Sequence, residues 1–201
     1  DELCDLFREY GVSVGTSLDG PEAICDHQRG QGYYRRTMAG IERARDHGLD
    51  VGCICTFTAQ SISQRQEVMD FFMAQGLNFS VHAAMPSLRY GTANEWTVSA
   101  EAHGDLLVGL LDGYLQNLSK VRIGTLDSMC RSASAGSGQI CTFGDCLGHY
   151  LAVGPNGDIY PCQRFAGMSE YWLGNVHDTP TANDLEAGTV WRMFADRQQQ
   201  V

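Results

Sequence analysis

The sequence predicts an α/β fold with parallel strands, followed by a small cysteine-bearing α+β region. Strand and helix signals alternate from residue 12 to residue 84, and one strand is a continuous apolar run. Residue usage then changes near residue 124, where serine, glycine and cysteine become frequent.

Residues 3–10 read as a short amphipathic helix that Gly11 stops. The run VSVGTSL at 12–18 alternates and is rich in β-branched residues, so it reads as a strand ending in the turn signal Asp19-Gly20-Pro21. A helix is expected at 34–47, with Met38, Ile41 and Ala44 on one face and Gly48 closing it. VGCICTFT at 51–58 is a strand of the apolar type that parallel sheets use. A helix at 65–75, stopped by Gly76, leads to a third strand at 77–84. Residues 85–100 read as a polar loop, of a length that is often functional. A helix at 101–118 carries Leu106, Leu107, Leu110, Leu111 and Leu115. Beyond it, RSASAGSGQ at 131–139 precedes three cysteines, and residues 150–160 read as a hairpin turning at Pro155-Asn156-Gly157. The expected domains are 1–124 and 125–201.

The chain has 201 residues, 43% of them hydrophobic, enough to bury a core. No apolar run reaches the length of a membrane helix, and residues 1–11 lack the basic start and apolar stretch of a signal peptide. The net charge is −10 with one lysine, Lys120, so neither nucleic acid nor an anionic membrane is an expected partner. Eight cysteines in a chain of this size, with no mark for export, point to a cytoplasmic protein using some thiols for metal or catalysis.

Cys141, Cys146 and Cys162 stand in a C-x4-C-x10-G-x4-C arrangement around the expected hairpin. Closing the hairpin returns Cys162 beside Cys146, so three thiolates can converge on zinc or on an iron–sulfur cluster. Either metal usually takes four ligands, which leaves His149, Cys130, water or a residue beyond 201 for the fourth place. Three buried cysteines in a small β unit are the plain alternative. Cys53 and Cys55 alternate on a strand and read as core, and Cys4 and Cys25 read as packing.

Several motifs together resemble a known family. Ser17-Leu18-Asp19-Gly20-Pro21 followed by Asp26-His27-Gln28-Arg29 resembles the fourth strand and its exit in radical S-adenosylmethionine enzymes. The C-x10-G-x4-C element with Ile159-Tyr160-Pro161-Cys162, and Gly174-Asn175-Val176 after Tyr171-Trp172-Leu173, resembles the start of the SPASM extension of peptide maturases. Cys162-Gln163-Arg164-Phe165 is similar to the peptide maturases in particular. The resemblance implies a partial parallel (β/α) barrel (strands four to six) and then a SPASM-like extension. It implies S-adenosylmethionine and 4Fe-4S clusters as cofactors, with Cys141, Cys146 and Cys162 ligating an auxiliary cluster. It also implies a peptide or protein substrate and an electron donor such as flavodoxin or ferredoxin.

By the same resemblance Ser17 is the cofactor contact leaving strand four, with Asp19 and Arg29 as further candidates, and Ser80 and Val81 offer backbone groups to adenine. Asp19-Gly20-Pro21 reads equally as a turn. The family's C-x3-C-x2-C loop is absent, so the chain reads as the centre of a longer enzyme or as a degenerate paralogue. In the related anaerobic sulfatase-maturing enzymes an aspartate stands where this chain has Gln163, which cannot act as a general base. The departure favours another peptide modification. Gln163 and Asp127 are the positions considered for catalysis, with Asp158 beside them, although both aspartates also suit turns or caps. A peptide-binding module without catalysis and a zinc domain are the competing readings.

Overall fold

The computed structural model describes residues 2–87, 91, 93–138, 147, 150–178 and 180–195. These divide into two compact units, one holding the residues up to 86 with those from 93 to 130, the other residues 87 and 91 with those from 131.

In the first unit three strands, β1 (Val14–Ser17), β2 (Val51–Phe57) and β3 (Phe79–Ala83), form a parallel sheet in that order. The helices α1 (Glu2–Glu9), α2 (Glu22–Arg29), α3 (Tyr33–Asp46), α4 (Arg65–Gln75) and α5 (Ala100–Gln116) belong to this unit, and α6 (Gly124–Ala135) begins in it. The strands and helices expected between residues 3 and 118 are present, with ends displaced by a residue or two.

Among α1 to α6, two helices were not foreseen. The segment after Asp19-Gly20-Pro21 coils into α2, and the one leading into the serine-rich run coils into α6. In α2 only Ile24 and Cys25 are buried, too few to print a helical period on the sequence. Its Asp26 carboxylate accepts from the backbone N–H groups of Gly32 (2.7 Å) and Tyr34 (2.9 Å), so one helix caps the start of the next. These bonds hold the Asp26 carboxyl below its ordinary range.

The core lies on one face of the sheet. Cys53, Cys55 and Phe57 of β2 and Phe79 and Val81 of β3 point into it, as the alternation of a strand requires. They meet Val68, Met69 and Phe72 of α4 and Leu106, Leu110 and Tyr114 of α5. The Phe72 and Phe79 rings stack with centroids 4.1 Å apart. Ile123 adds a parallel bridge beside Phe79, and the Thr125 hydroxyl accepts from Val81 N–H (3.0 Å) and donates to its carbonyl (3.1 Å). A side chain thus continues the ladder on the free side of β3.

In the second unit β4 (Ala152–Val153), β5 (Asp158–Tyr160) and β6 (Gly174–Asn175) form a small antiparallel sheet, followed by α7 (Ala182–Glu186) and α8 (Thr189–Ala195). The expected hairpin is present. Its turn depends on Gly157, whose φ of 84° favours glycine and where an added Cβ would come within 2.8 Å of Val176. Asp158 accepts from the Trp172 indole N–H (2.9 Å) and the Asn175 amide (3.0 Å). The Phe165, Tyr171 and Phe194 rings cluster together, with centroids 4.5–6.0 Å apart.

Candidate functional site

The parallel sheet leaves its second face open, where parallel sheets are usually covered on both sides. In register across the three strands, Gly15 lies beside Gly52, then Ser17 beside Ile54 and Ser80, then Thr56 beside His82. Paired residues share a face, so these rows form one surface. Ile54 is 43% exposed at the centre of the sheet, whereas its neighbours Cys53 and Cys55 are buried. A Cβ at Gly52 would meet nothing within 4 Å, and one at Gly15 only the Gly52 carbonyl at 3.6 Å. The result is a smooth floor leading to an apolar side chain between two hydroxyls. That surface suits a flat ring with polar groups at its ends.

The carboxyl ends of β1 and β2 are fixed by a polar cluster. The Asp19 carboxylate, 1% exposed, accepts from Nε and Nη2 of the Arg29 guanidinium (2.5 and 2.9 Å) and from the Thr56 backbone N–H (2.9 Å). The bond from Asp19 raises the Arg29 pKa further. Arg29 lies over the Tyr33 ring, 5.4 Å from its centroid, and the Tyr33 hydroxyl donates to the Ser17 carbonyl (3.1 Å). Asp19 and Arg29 are thus held by each other. Asp19 fixes Thr56 on β2, and Tyr33, packed against Arg29, fixes the Ser17 carbonyl on β1.

Below Asp19 lie three thiols. The Asp19 N–H donates to Cys25 Sγ (3.1 Å), and the Cys55 thiol donates to the Asp19 carbonyl (3.6 Å). Burial pushes Cys25 and Cys53 up to about 11, and Cys55 well above its ordinary value. Cys53 and Cys55 are core residues, as their alternation implied, and thiols so protonated are poor nucleophiles and ligands.

Beside this cluster a cleft of about 230 Å³ opens between α2 and the turn after β2, lined by Ala23, Ile24, His27, Gln60, Ser61 and Gln64 among others. Gln28 closes its base, donating to the Thr56 carbonyl (3.0 Å) and accepting from the Thr58 hydroxyl (3.2 Å).

The remaining expected residues are spread over the chain. Ser80 is half-buried on the open face, and its hydroxyl oxygen is 2.7 Å from where a Cβ on Gly124 would stand. Asp127 is joined to the Tyr114 hydroxyl and to the Arg122 guanidinium (2.6 and 3.0 Å). Burial, and then the Asp127 bond, push Tyr114 up to about 12. Cys162 stands two residues past the end of β5, half-buried and extended, and starts the one-turn helix Gln163–Phe165, where Gln163 is exposed. Cys141, Cys146 and His149 lie outside the described residues, and among the described residues no three metal-binding side chains converge. Thr56, Ile54, Tyr33 and His82 were not singled out in the sequence. The alternation of β2 and β3 was the available signal for Ile54, Thr56 and His82, and none existed for Tyr33.

No family model matches the chain. An uncharacterised protein of Methanothermobacter thermautotrophicus is 48% identical over 133 residues, covering 66% of this chain and 51% of that protein. The serine-type anaerobic sulfatase-maturating enzyme of Bacteroides thetaiotaomicron is 25% identical over 198 residues, covering 88% of this chain and 48% of the enzyme. The chain spans about half the length of the curated relatives it matches.

Among solved structures, native anSMEcpe with bound AdoMet superposes with a TM-score of 0.84 at 18% identity, over 96% of this chain and 55% of that one. A structure of anSMEcpe with AdoMet and the Kp18Cys peptide gives 0.79 at the same identity and coverage. SuiB of Streptococcus suis gives 0.61 at 16% identity, over 88% of this chain and 44% of SuiB. The α/β fold with a partial parallel barrel of radical S-adenosylmethionine type, expected from the sequence, is therefore the fold found. The chain is homologous to the anaerobic sulfatase-maturating enzymes and shares their fold.

Proposed function

We propose that the full-length protein is a cytoplasmic radical S-adenosylmethionine enzyme that modifies a side chain of a peptide or protein, fed electrons by a flavodoxin or ferredoxin. In this reading residues 1–124 supply strands four to six of the barrel, and residues 125–201 begin the SPASM extension. The observation that carries the reading is the open sheet face with Ser17, Ile54 and Ser80 in one row. It supplies what S-adenosylmethionine needs, an apolar rest for adenine with hydroxyls on either side and glycines that leave room. Homology to the sulfatase-maturating enzymes, and the AdoMet bound in the structural relatives, support the same ligand.

Ser17 is the first contact in this reading, with Ser80 across the sheet. Asp19 and Arg29 act by holding the strand ends. S-adenosylmethionine bound there would supply radical hydrogen-abstraction chemistry. The chain's residues orient the ligand and keep water from it. Cys162, with Cys141 and Cys146, would hold a 4Fe-4S cluster through soft thiolates. Gln163 beside Cys162 has no proton to take or lose and is assigned no acid–base step.

Binding of S-adenosylhomocysteine to the anaerobically reconstituted full-length protein tests the first part. Ser17→Ala should weaken it about fivefold, as the loss of one hydrogen bond does. An unchanged affinity removes Ser17 from the site. For the second part, a broad visible absorbance with iron and sulfide that falls in Cys146→Ala and Cys162→Ala supports the cluster. Stoichiometric zinc without that absorbance would establish the zinc domain instead.

A further inference from the structure

Along the free side of β3 the chain lays down a short stretch that is tied to the strand at both ends. The Phe79 N–H donates to the Arg122 carbonyl (3.0 Å), and Ile123 bridges Phe79. The Arg122 N–H donates to the Asn78 side chain (2.9 Å), and the Thr125 hydroxyl bonds both backbone groups of Val81. Gly124 lies between these ties, against Ser80. It extends the row of Ser17, Ile54 and Ser80 by one position that carries no side chain.

The backbone does not demand glycine here. Gly124 is the first residue of α6 and, unlike Gly157, lies outside the left-handed region. Alanine is the better helix former and narrows the unfolded chain more. What stands in its way is one atom. A Cβ at Gly124 would be 2.7 Å from Ser80 Oγ, too close for the two to coexist. Its other neighbours, the Phe79 carbonyl and Ser80 Cβ, are at an ordinary 3.9 Å. The Ser80 hydroxyl thus stands in the notch left by the missing side chain, leaning away from Ile54.

Gly124 is not free to draw back, because Ile123 and Leu126 are buried on either side of it. A serine hydroxyl, by contrast, changes place by rotation about a single bond. An added methyl would therefore turn the hydroxyl and leave the backbone where it is. Among the described residues the Ser80 hydroxyl has no hydrogen-bond partner, so the notch, and not a bond within the protein, sets where it stands.

We propose that Gly124 is a positioning residue for the cofactor: its notch keeps the Ser80 hydroxyl at the end of the row, clear of the apolar floor, where it bonds the nucleoside. The inference rests on the reading of the serine row as the cofactor site. It adds to that site a residue that makes no bond to the ligand and acts through Ser80.

The test uses the full-length, anaerobically reconstituted protein and S-adenosylhomocysteine. Gly124→Ala should weaken binding about fivefold, the loss of one hydrogen bond, while the thermal midpoint stays level or rises. Ser80→Ala should weaken binding by the same factor. The double variant should bind no more weakly than either single one, because both remove the same bond. In a crystal structure of Gly124→Ala, the Ser80 hydroxyl should occupy another staggered position over an unmoved backbone. The proposal is overturned if Gly124→Ala binds as the wild type does, or if its midpoint falls because the backbone has shifted. It is equally overturned if the two substitutions multiply to about twenty-five-fold. Ser80→Ala without effect would remove Ser80 from the site, and a wild type that fails to bind would remove the cofactor reading. Either result takes this inference with it.

Discussion

The two units differ in what holds them. The first buries a continuous cluster running from Leu18 through Phe57, Phe72 and Leu110 to Leu126, with helices covering one face of its sheet. In the second the buried hydrophobic side chains, among the described residues, are Ile159, Tyr160 and Leu185, and its strands are two or three residues long. A large apolar core sustains a fold by itself, whereas a small one commonly depends on a metal or another covalent staple. Under the proposed function the difference suits a division of labour: a platform presenting a polar face, and a thiol-bearing region whose order would depend on its cluster.

Three measurements test the contrast between the units. The largest effect is expected in the second unit of the full-length protein. Removing the bound metal with a chelator should open residues 150–178 to protease within minutes while residues 51–83 remain protected. Equal resistance of both regions after chelation would mean that the small sheet stands on its own side chains. Next is Asp19→Ala, which leaves Arg29 without its partner and the Thr56 N–H without its acceptor. Loss of one member of such a buried pair costs about 3 kcal/mol, visible as a lower denaturation midpoint of the first unit. A change below about 0.5 kcal/mol would show that the cluster positions strands without stabilising them.

The smallest effect is expected from Asp26→Asn. The Asp26 carboxyl is depressed in the folded protein by the Tyr34 and Gly32 N–H groups, so its stabilisation is present above the ordinary carboxylate range and is lost as pH falls through the depressed value. The variant should match the wild type below that point and be slightly less stable at neutral pH. A constant difference between the two across the acid range would assign the effect to something other than ionisation.

Much of the platform was legible in the sequence because its elements announce themselves locally. VGCICTFT has the composition of a buried parallel strand, and Gly48 and Gly76 mark where α3 and α4 stop, each in a backbone conformation that glycine favours. The α2 helix was not legible, because its stability comes from Asp26 reaching forward to α3 and from Cys25 buried under Asp19. Nor was α6, whose Thr125 side chain binds a strand 44 residues earlier. For the candidate site, Ser17 and Ser80 could be named from motifs, but that they share a row with Ile54 depends on the register of three strands.

Residue types and spacing by themselves determined the alternation of strands and helices, the hairpin at Gly157, the burial of Cys53 and Cys55, and the kinship with the sulfatase-maturating enzymes. Each is a local pattern: a period, a turn residue or a motif. Only the tertiary structure decided that one face of the sheet stays open, that Asp19 is taken up by Arg29 and Thr56, and that His82 stands one row beyond the serines. Those facts depend on pairings between residues far apart in the chain. Strand register and side-chain partners are set by packing over such distances, which no window of sequence contains.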